Sequence, residues 1–434
     1  MVEMEDSWSR REFCKTSLRA AGIGLGAAFF GPWKFNHVYG SVADKPITIG
    51  ITTDTTGQYG SSGASEMLGI RMAISEFNAR GGLLGRKIRW IHQDTETDPV
   101  TASRIAEKMI GRYECNFLVG GVSSGVSDAI AKVAQKYGTL YLDTNSSSPS
   151  ESGVHCHRVK FVWDGNGNNF GRAIVKHAIQ STGKKWLLLT SDYEWGHQIH
   201  AAVRKAAESR GVHIVEELMV PETTVDFTTY LREIRNEKPD AVAAAFCGGY
   251  LKALRAQAAH FGLKEKTAWI FNQQDWPDIY GLPMGSLFGT FATCWYHHND
   301  LPGVDQFIRK YREAYPQERI QVPGNVYYNG YMAMRELLRA VERAGTVNNI
   351  AVIKQLERLR VSAADRMQHH DAYMNPNTHQ LQQSVYVATE NLERRDEDDV
   401  FKILSQVAPE EVADDVAGDA CKLDSYAATP TYEV

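Results

Sequence analysis

The chain has 434 residues, 43% of them hydrophobic, and a formal net charge of -5. That length is ample for two domains with their own cores, and an acidic balance without a basic stripe excludes nucleic acid as a partner. No segment reaches the roughly 20 consecutive apolar residues that a spanning helix needs, so the protein is not expected to be membrane-embedded.

The N-terminus reads "SWSRREFCKT" and runs into a short apolar stretch, Ala20–Phe30. Adjacent cationic residues Arg10 and Arg11 before a short apolar segment suit an export signal better than a folded domain. Ser41 and Ala43 are the small residues a signal peptidase requires, so cleavage is expected after Ala43. Segment 1–43 holds five cationic and four acidic residues, so its loss leaves the remainder near -6. Five cysteines then remain: Cys115, Cys156, Cys247, Cys294 and Cys421. None forms a CxxC pair, which disfavours a zinc site, and the odd count leaves at least one thiol free. Cys421 lies in a weakly apolar tail, where a disulfide to a partner that the sequence does not name is expected.

Ile47, Ile49 and Ile51 alternate as a strand does. A loop rich in Gly, Ser and Thr follows, then a helix from about Ala64 to Arg80 with Met67, Ile70, Ala73, Ile74 and Phe77 on one face. The strand "KIRWIHQD", a helix near Thr101–Arg112, the strand "FLVGG", a helix near Ser127–Tyr137 and the strand "TLYLD" repeat the rhythm. Strands alternating with helices of this length imply βαβ units and a parallel sheet. A second series starts near Phe161, with strands in "KWLLLTSD", "HIVEELMV", "DAVAAAFCGG" and "TAWIFNQ". From Gly289 come the strand-like "GTFATCWYH", helices at Val304–Tyr315 and Val326–Ala344, and a late strand pair in "HQLQQSVYVATENL". The fold class is therefore α/β, with two doubly wound parallel-sheet lobes.

Ligands in such sheets sit beyond the carboxyl ends of the strands. The loops there are "TDTTGQYGSSG", "GGVSSGVS" and "DTNSSSP" in the first series, and "SDYEWGH", "FCGGY" and "NQQDWP" in the second. The first set offers hydroxyls and backbone N–H groups, with "VSSG" opening into a helix whose N-terminus attracts an anion. The second set is aromatic, with Tyr193, Trp195, Tyr250 and Trp276, and suits a wall that excludes water. "DGNGNNFG" at Asp164–Gly171 misses the dinucleotide spacing and reads as a hinge crossover. The histidines at His155, His157, His297, His298, His369 and His370 lack metal-ligand spacing, and "DTETD" at Asp94–Asp98 lacks the Gly and closing Glu of a calcium loop.

Taken together, "ITIGITTDTTGQYGSSGASEMLGIRMAISEFNARGGLLGRKI", "VGGVSSGVSDAIAKVAQKYGTLYLDTNSSSP" and "YEWGHQIHAAVRKAAESRGVHIVEELMV" resemble the periplasmic leucine/isoleucine/valine-binding proteins, type I solute receptors of ABC transporters. The resemblance covers roughly Ile47 to Leu404. It implies two lobes joined by a three-strand hinge: 44–161 and 289–365 in the first, 162–288 and 366–405 in the second, and 406–434 as a tail. Segment 1–43 resembles a twin-arginine (Tat) signal, with Cys14 where Leu is usual, which implies a periplasmic protein. By position, Ser124 matches the serine holding a ligand carboxylate, with Ser123 beside it as a further binding candidate, and Asn145 and Ser147 match the loop meeting its amine. Trp195 and Tyr250 match aromatic walls, with Tyr59 opposite. Gln273 stands where branched-chain amino-acid binders have the glutamate that pairs with the ligand ammonium. Asp275 substitutes only if the loop shifts by two residues, so the expected ligand is a small organic solute, an amino acid, amide or aromatic acid, with the aromatic lining favouring the last two.

The implied activity is non-enzymatic: capture of a small solute by a monomer without cofactor, and delivery to ABC permease subunits. A ligand sensor of a signalling system fits the same fold. A serine hydrolase would need a His and Asp beside Ser124 or Ser147 and lacks the GxSxG elbow.

Overall fold

The computed structural model describes residues 45–413 and 421–426. The export signal and its cleavage position lie outside the described residues. Among the described residues no helix is long and apolar enough to cross a membrane.

The first lobe is built on five parallel strands: β1 (Ile47–Ile51), β2 (Ile88–His92), β3 (Phe117–Val119), β4 (Tyr141–Asp143) and β5 (Lys160–Val162). Their order across the sheet is β2-β1-β3-β4-β5. All five residues of β1 are buried, as a strand covered by helices on both faces requires. Helix Gly60–Ala79 lies against helix Asn325–Ala344. Gly69 permits this, since a Cβ there would stand 2.2 Å from the Tyr327 carbonyl oxygen.

The second lobe carries β6 (Lys185–Ser191), β7 (His213–Val220), β8 (Ala241–Ala245), β9 (Ala268–Gln273) and β10 (Thr290–Thr293). Three short strands follow as a separate antiparallel sheet: β11 (Arg360–Val361), β12 (Ala372–Met374) and β13 (Leu381–Gln382). Then β14 (Val385–Glu390) and β15 (Phe401–Val407) join the second sheet, in the order β15-β14-β10-β9-β8-β6-β7. The last two run antiparallel and close the edge.

The chain passes between the two lobes three times. Trp163 belongs to the first core and Phe170 to the second. Phe291 packs in the second core while Cys294 and Trp295 return to the first. Leu381 is still in the first core and Val385 is back in the second.

Three boundaries differ from those expected. The return to the first lobe comes at Cys294 rather than Gly289, because Thr290–Thr293 pairs with β9 and β14 and satisfies its backbone groups there. The return to the second lobe comes after Leu381 rather than after Arg366, because Ala372, Met374 and Leu381 bury their side chains in the first core. The expected tail start at 406 falls inside β15, and helix Pro409–Val412 follows it, with the Val412 carbonyl accepting from Asn169 Nδ2 at 2.9 Å.

Cys421 forms a disulfide with Cys156, which supplies the partner that the sequence left open. Around it His157 Nδ1 meets Asp424 at 2.7 Å, and the Arg158 guanidinium lies 5.2 Å from the Tyr426 ring centre. Cys115, Cys247 and Cys294 are free thiols. The link is joined by hydrogen bonds from Arg158 to the Asp424 carbonyl and from Gln135 to the Ser425 carbonyl, and by Tyr426 packing on the first core. We expect Cys421→Ser to lower unfolding free energy by about 2–5 kcal/mol in denaturant titration. Equal midpoints for the variant and the parent protein would show the tail to be energetically idle.

Candidate functional site

Three loops leave the carboxyl ends of β1, β3 and β4 and meet at one point. Gly121, at φ +141°, lets the β3 loop pass close to β4, because a Cβ there would stand 2.5 Å from the Tyr141 hydroxyl. The Asn145 N–H then donates to the Gly121 carbonyl at 3.0 Å, locking two loops together. The Ser123 N–H donates to Asp54 Oδ2 at 3.1 Å, and the Ser148 N–H to Ser124 Oγ at 3.3 Å. Helix Ser124–Tyr137 starts here, and its cap residue Ser123 makes no side-chain capping bond. Ser123, Ser124 and Gly125 line the cavity, so the N-terminus of this helix, the kind of end that attracts an anion, borders it.

Beneath the loops lies Glu66, fully buried in helix Gly60–Ala79. Its carboxyl accepts from Thr53 Oγ1, from the Gly121 N–H at 3.3 Å and from Asn145 Nδ2 at 2.9 Å. One side chain thus ties together the loops after all three strands. Burial pushes its pKa up to about 7, against the opposing pull of those hydrogen bonds.

The facing wall comes from the second lobe. Tyr193, Glu194 and Trp195 follow β6, Glu222 follows β7, Cys247 and Gly248 follow β8, Gln273 ends β9, and Gln274, Asp275 and Asp278 come after it. Together the two walls enclose a cavity of about 340 Å³. Gln273 Nε2 donates to Asp164 Oδ2 at 2.9 Å and to Asp275 Oδ1 at 3.1 Å. Asn325 Nδ2 reaches the same Asp275 oxygen from the first lobe at 2.7 Å. Burial lifts Asp275 to about 6, and burial with the nearby Asp275 charge lifts Asp164 to about 8.

Other bonds also cross the cleft. Trp195 Nε1 donates to Ser147 Oγ at 3.0 Å, and Ser61 Oγ donates to Asp278 Oδ1 at 3.0 Å. The hydroxyls of Tyr59 and Tyr193 stand 3.2 Å apart, and Cys247 Sγ lies 3.5 Å from Tyr59 and 3.6 Å from Tyr193.

Of the residues singled out from sequence, Tyr59, Ser123, Ser124, Asn145, Ser147, Trp195, Gln273 and Asp275 line this cavity. Tyr250 does not; it packs against the second core. It sits two residues, about 200° of helical rotation, beyond the cavity-lining Gly248, so it points away. Trp276 is also a core residue, with its ring 4.4 Å from that of His297. The aromatic wall is made by Tyr59, Tyr193 and Trp195. Sequence reasoning missed Glu66, Glu222, Cys247 and Asp278. Glu66 had a signal: it lies four residues before Ile70, on the apolar face of its helix. Asp94, read as a faint calcium-loop echo, accepts from the Thr55 N–H at 2.9 Å and Thr56 Oγ1 at 2.6 Å and so shapes the first cleft loop.

Comparison with known proteins finds a match to the family described as periplasmic binding protein over residues 46–394. The Leu/Ile/Val-binding protein BraC3 of Rhizobium johnstonii is 25% identical over 324 residues, 73% of this chain and 84% of that protein. Among solved structures, the leucine-, isoleucine-, valine-, threonine- and alanine-binding protein of Brucella ovis, in its closed conformation, superposes with a TM-score of 0.78 at 20% identity, covering 88% of this chain and 99% of that one. A solute-binding protein of an R. palustris ABC transporter in complex with benzoate gives a TM-score of 0.75 at 21% identity, over 87% of this chain and 100% of that one.

The raised pKa of Glu66 has a measurable consequence. A carboxyl favoured in its neutral form by the fold stabilises fully below its unfolded pKa, near 4.5, and loses that contribution as pH rises through about 7. Glu66→Gln mimics the neutral form at every pH. From pH 5 to pH 8 the melting temperature of the parent protein should therefore fall relative to that of Glu66→Gln. Parallel curves would mean that Glu66 does not titrate in this range.

Proposed function

The chain belongs to the periplasmic binding protein family, and from that premise we propose that it is the solute receptor of a branched-chain-amino-acid-type ABC transporter, taking an α-amino acid between its lobes. Family members bind solutes and hand them to a membrane permease, so this protein is not an enzyme and works outside the cytoplasm. The serine-hydrolase alternative falls with that assignment.

The observation that carries the choice of ligand is the position of Asp275. Gln273 replaces the carboxylate that would meet an ammonium, yet its amide donates to Asp275 at 3.1 Å, and both residues line the cavity. An ionised carboxylate held only by amide donors is a ready partner for a ligand ammonium. Across the cleft, Ser123, Ser124 and the start of their helix suit the ligand carboxylate. This geometry favours an amino acid over the aromatic acid or amide expected from Gln273 alone. Tyr59, Tyr193 and Trp195 would cover the rest of the solute.

Ligand touching both walls stabilises the closed arrangement, and binding shifts an open–closed equilibrium that the permease reads. We extend the reading to a monomer, with lobe crossings at Trp163–Phe170, Cys294 and Leu381–Val385. Export by the twin-arginine route rests on Arg10, Arg11 and the Ala20–Phe30 stretch alone.

The test is thermal unfolding of residues 44–434 against amino acids, short amides and aromatic carboxylates. A true ligand at about 100 times its Kd adds roughly 2.7 kcal/mol. Ser124→Ala should weaken that ligand by about tenfold or more, the loss of a hydrogen bond to a charged group. A response confined to amides or aromatic acids would remove the ammonium role given to Asp275.

A further inference from the structure

The charges around the cavity do not balance. Glu194, Glu222, Asp275 and Asp278 line it, and among the described residues no Lys, Arg or His does. Two of the four carboxylates have local partners. Asp278 accepts from Ser61 Oγ and from the N–H of Gly248, the first residue of helix Gly248–His260. Glu194 lies in the first turn of helix Glu194–Glu208, where the dipole favours it, accepts from Ser150 Oγ at 3.2 Å and faces His155 Nδ1 at 3.6 Å.

Asp275 and Glu222 are left. Asp275 receives only the neutral amides of Gln273 and Asn325. Glu222, half-buried, lines the same cavity as Tyr59, Tyr193 and Cys247 and forms no hydrogen bond or ion pair with any described residue. Closing a cleft over a carboxylate without a counter-charge is costly, and a cation brought by the solute removes that cost.

We infer that the solute is a basic amino acid: its carboxylate at Ser124, its α-ammonium at Asp275, and a second, side-chain cation at Glu222. This deepens the receptor reading and rests on it. The solute then carries one negative and two positive charges, matching one helix N-terminus and two uncompensated carboxylates.

L-lysine and L-norleucine test the assignment, because norleucine is lysine without its ε-ammonium. Calorimetric titration of the full exported chain at pH 7.5 should give lysine a Kd at least about tenfold lower than norleucine, the scale of a desolvated charge pair. Glu222→Gln should abolish the preference by raising the lysine Kd about tenfold. Norleucine binding as tightly as lysine would overturn the second charge and leave the amino-acid receptor standing. A lysine preference that survives in Glu222→Gln would overturn the role of Glu222. Binding of neither amino acid would bring down the second charge and the amino-acid reading together.

Discussion

A carboxyl group taken out of water with no cation beside it must either give up its charge or be held by many hydrogen bonds. Three such groups organise this protein. Glu66 ties the three strand-end loops of the first lobe, Asp164 sits in the first crossover, and Asp275 faces the cavity. All three have pKa values raised by burial, to about 7, 8 and 6. Each is met by amide or hydroxyl donors, so the loops that supply those donors cannot move independently. The walls of the cavity are cross-linked by these polar contacts.

A different solution operates one loop away. Lys160 is fully buried and pairs with Glu151 and, at 3.4 Å, with Asp143. This triad joins β4 and β5 to the turn Pro149–Ser152, which continues the loop carrying Asn145 and Ser147. Removing one member would strand a charge in the core. The loop is thus held from two sides, by Glu66 at its start and by Lys160 beyond its end.

Contacts between the lobes are of another kind. Apart from the three chain crossings, the cleft is bridged by individual side-chain bonds such as Ser147–Trp195, Tyr59–Tyr193 and Ser61–Asp278. Each contributes on the order of 1 kcal/mol. Rigid lobes joined by weak, separable contacts are what a hinge needs, since an opening motion breaks few bonds and disturbs neither core. Asp164 lies where this matters most, on a crossover and hydrogen-bonded to Gln273 of the second lobe.

Much of this architecture was legible in the chain. Alternating apolar strands and amphipathic helices announce two parallel sheets, because each strand is buried on both faces by neighbours close in sequence. The cleft loops followed from the rule that strand carboxyl ends carry ligands, and of the nine residues that the family resemblance picked out in and around them, eight line the cavity. Tyr250 failed because loop membership does not say which way a helix-start side chain points. The role of Asp275 was undecided because two residues along a loop can face together or apart, and only the amide of Gln273 folding onto Asp275 brought both to the cavity. Glu66 meets Gly121 and Asn145, 55 and 79 residues further along the chain, and Glu222 shares its cavity with residues of the other lobe; no local pattern reports such meetings. Local periodicity therefore determined the elements and the end of each sheet that binds. Which carboxylates lack a partner was decided by the long-range packing of the two lobes, because charge compensation is a property of the assembled cavity and of no single segment.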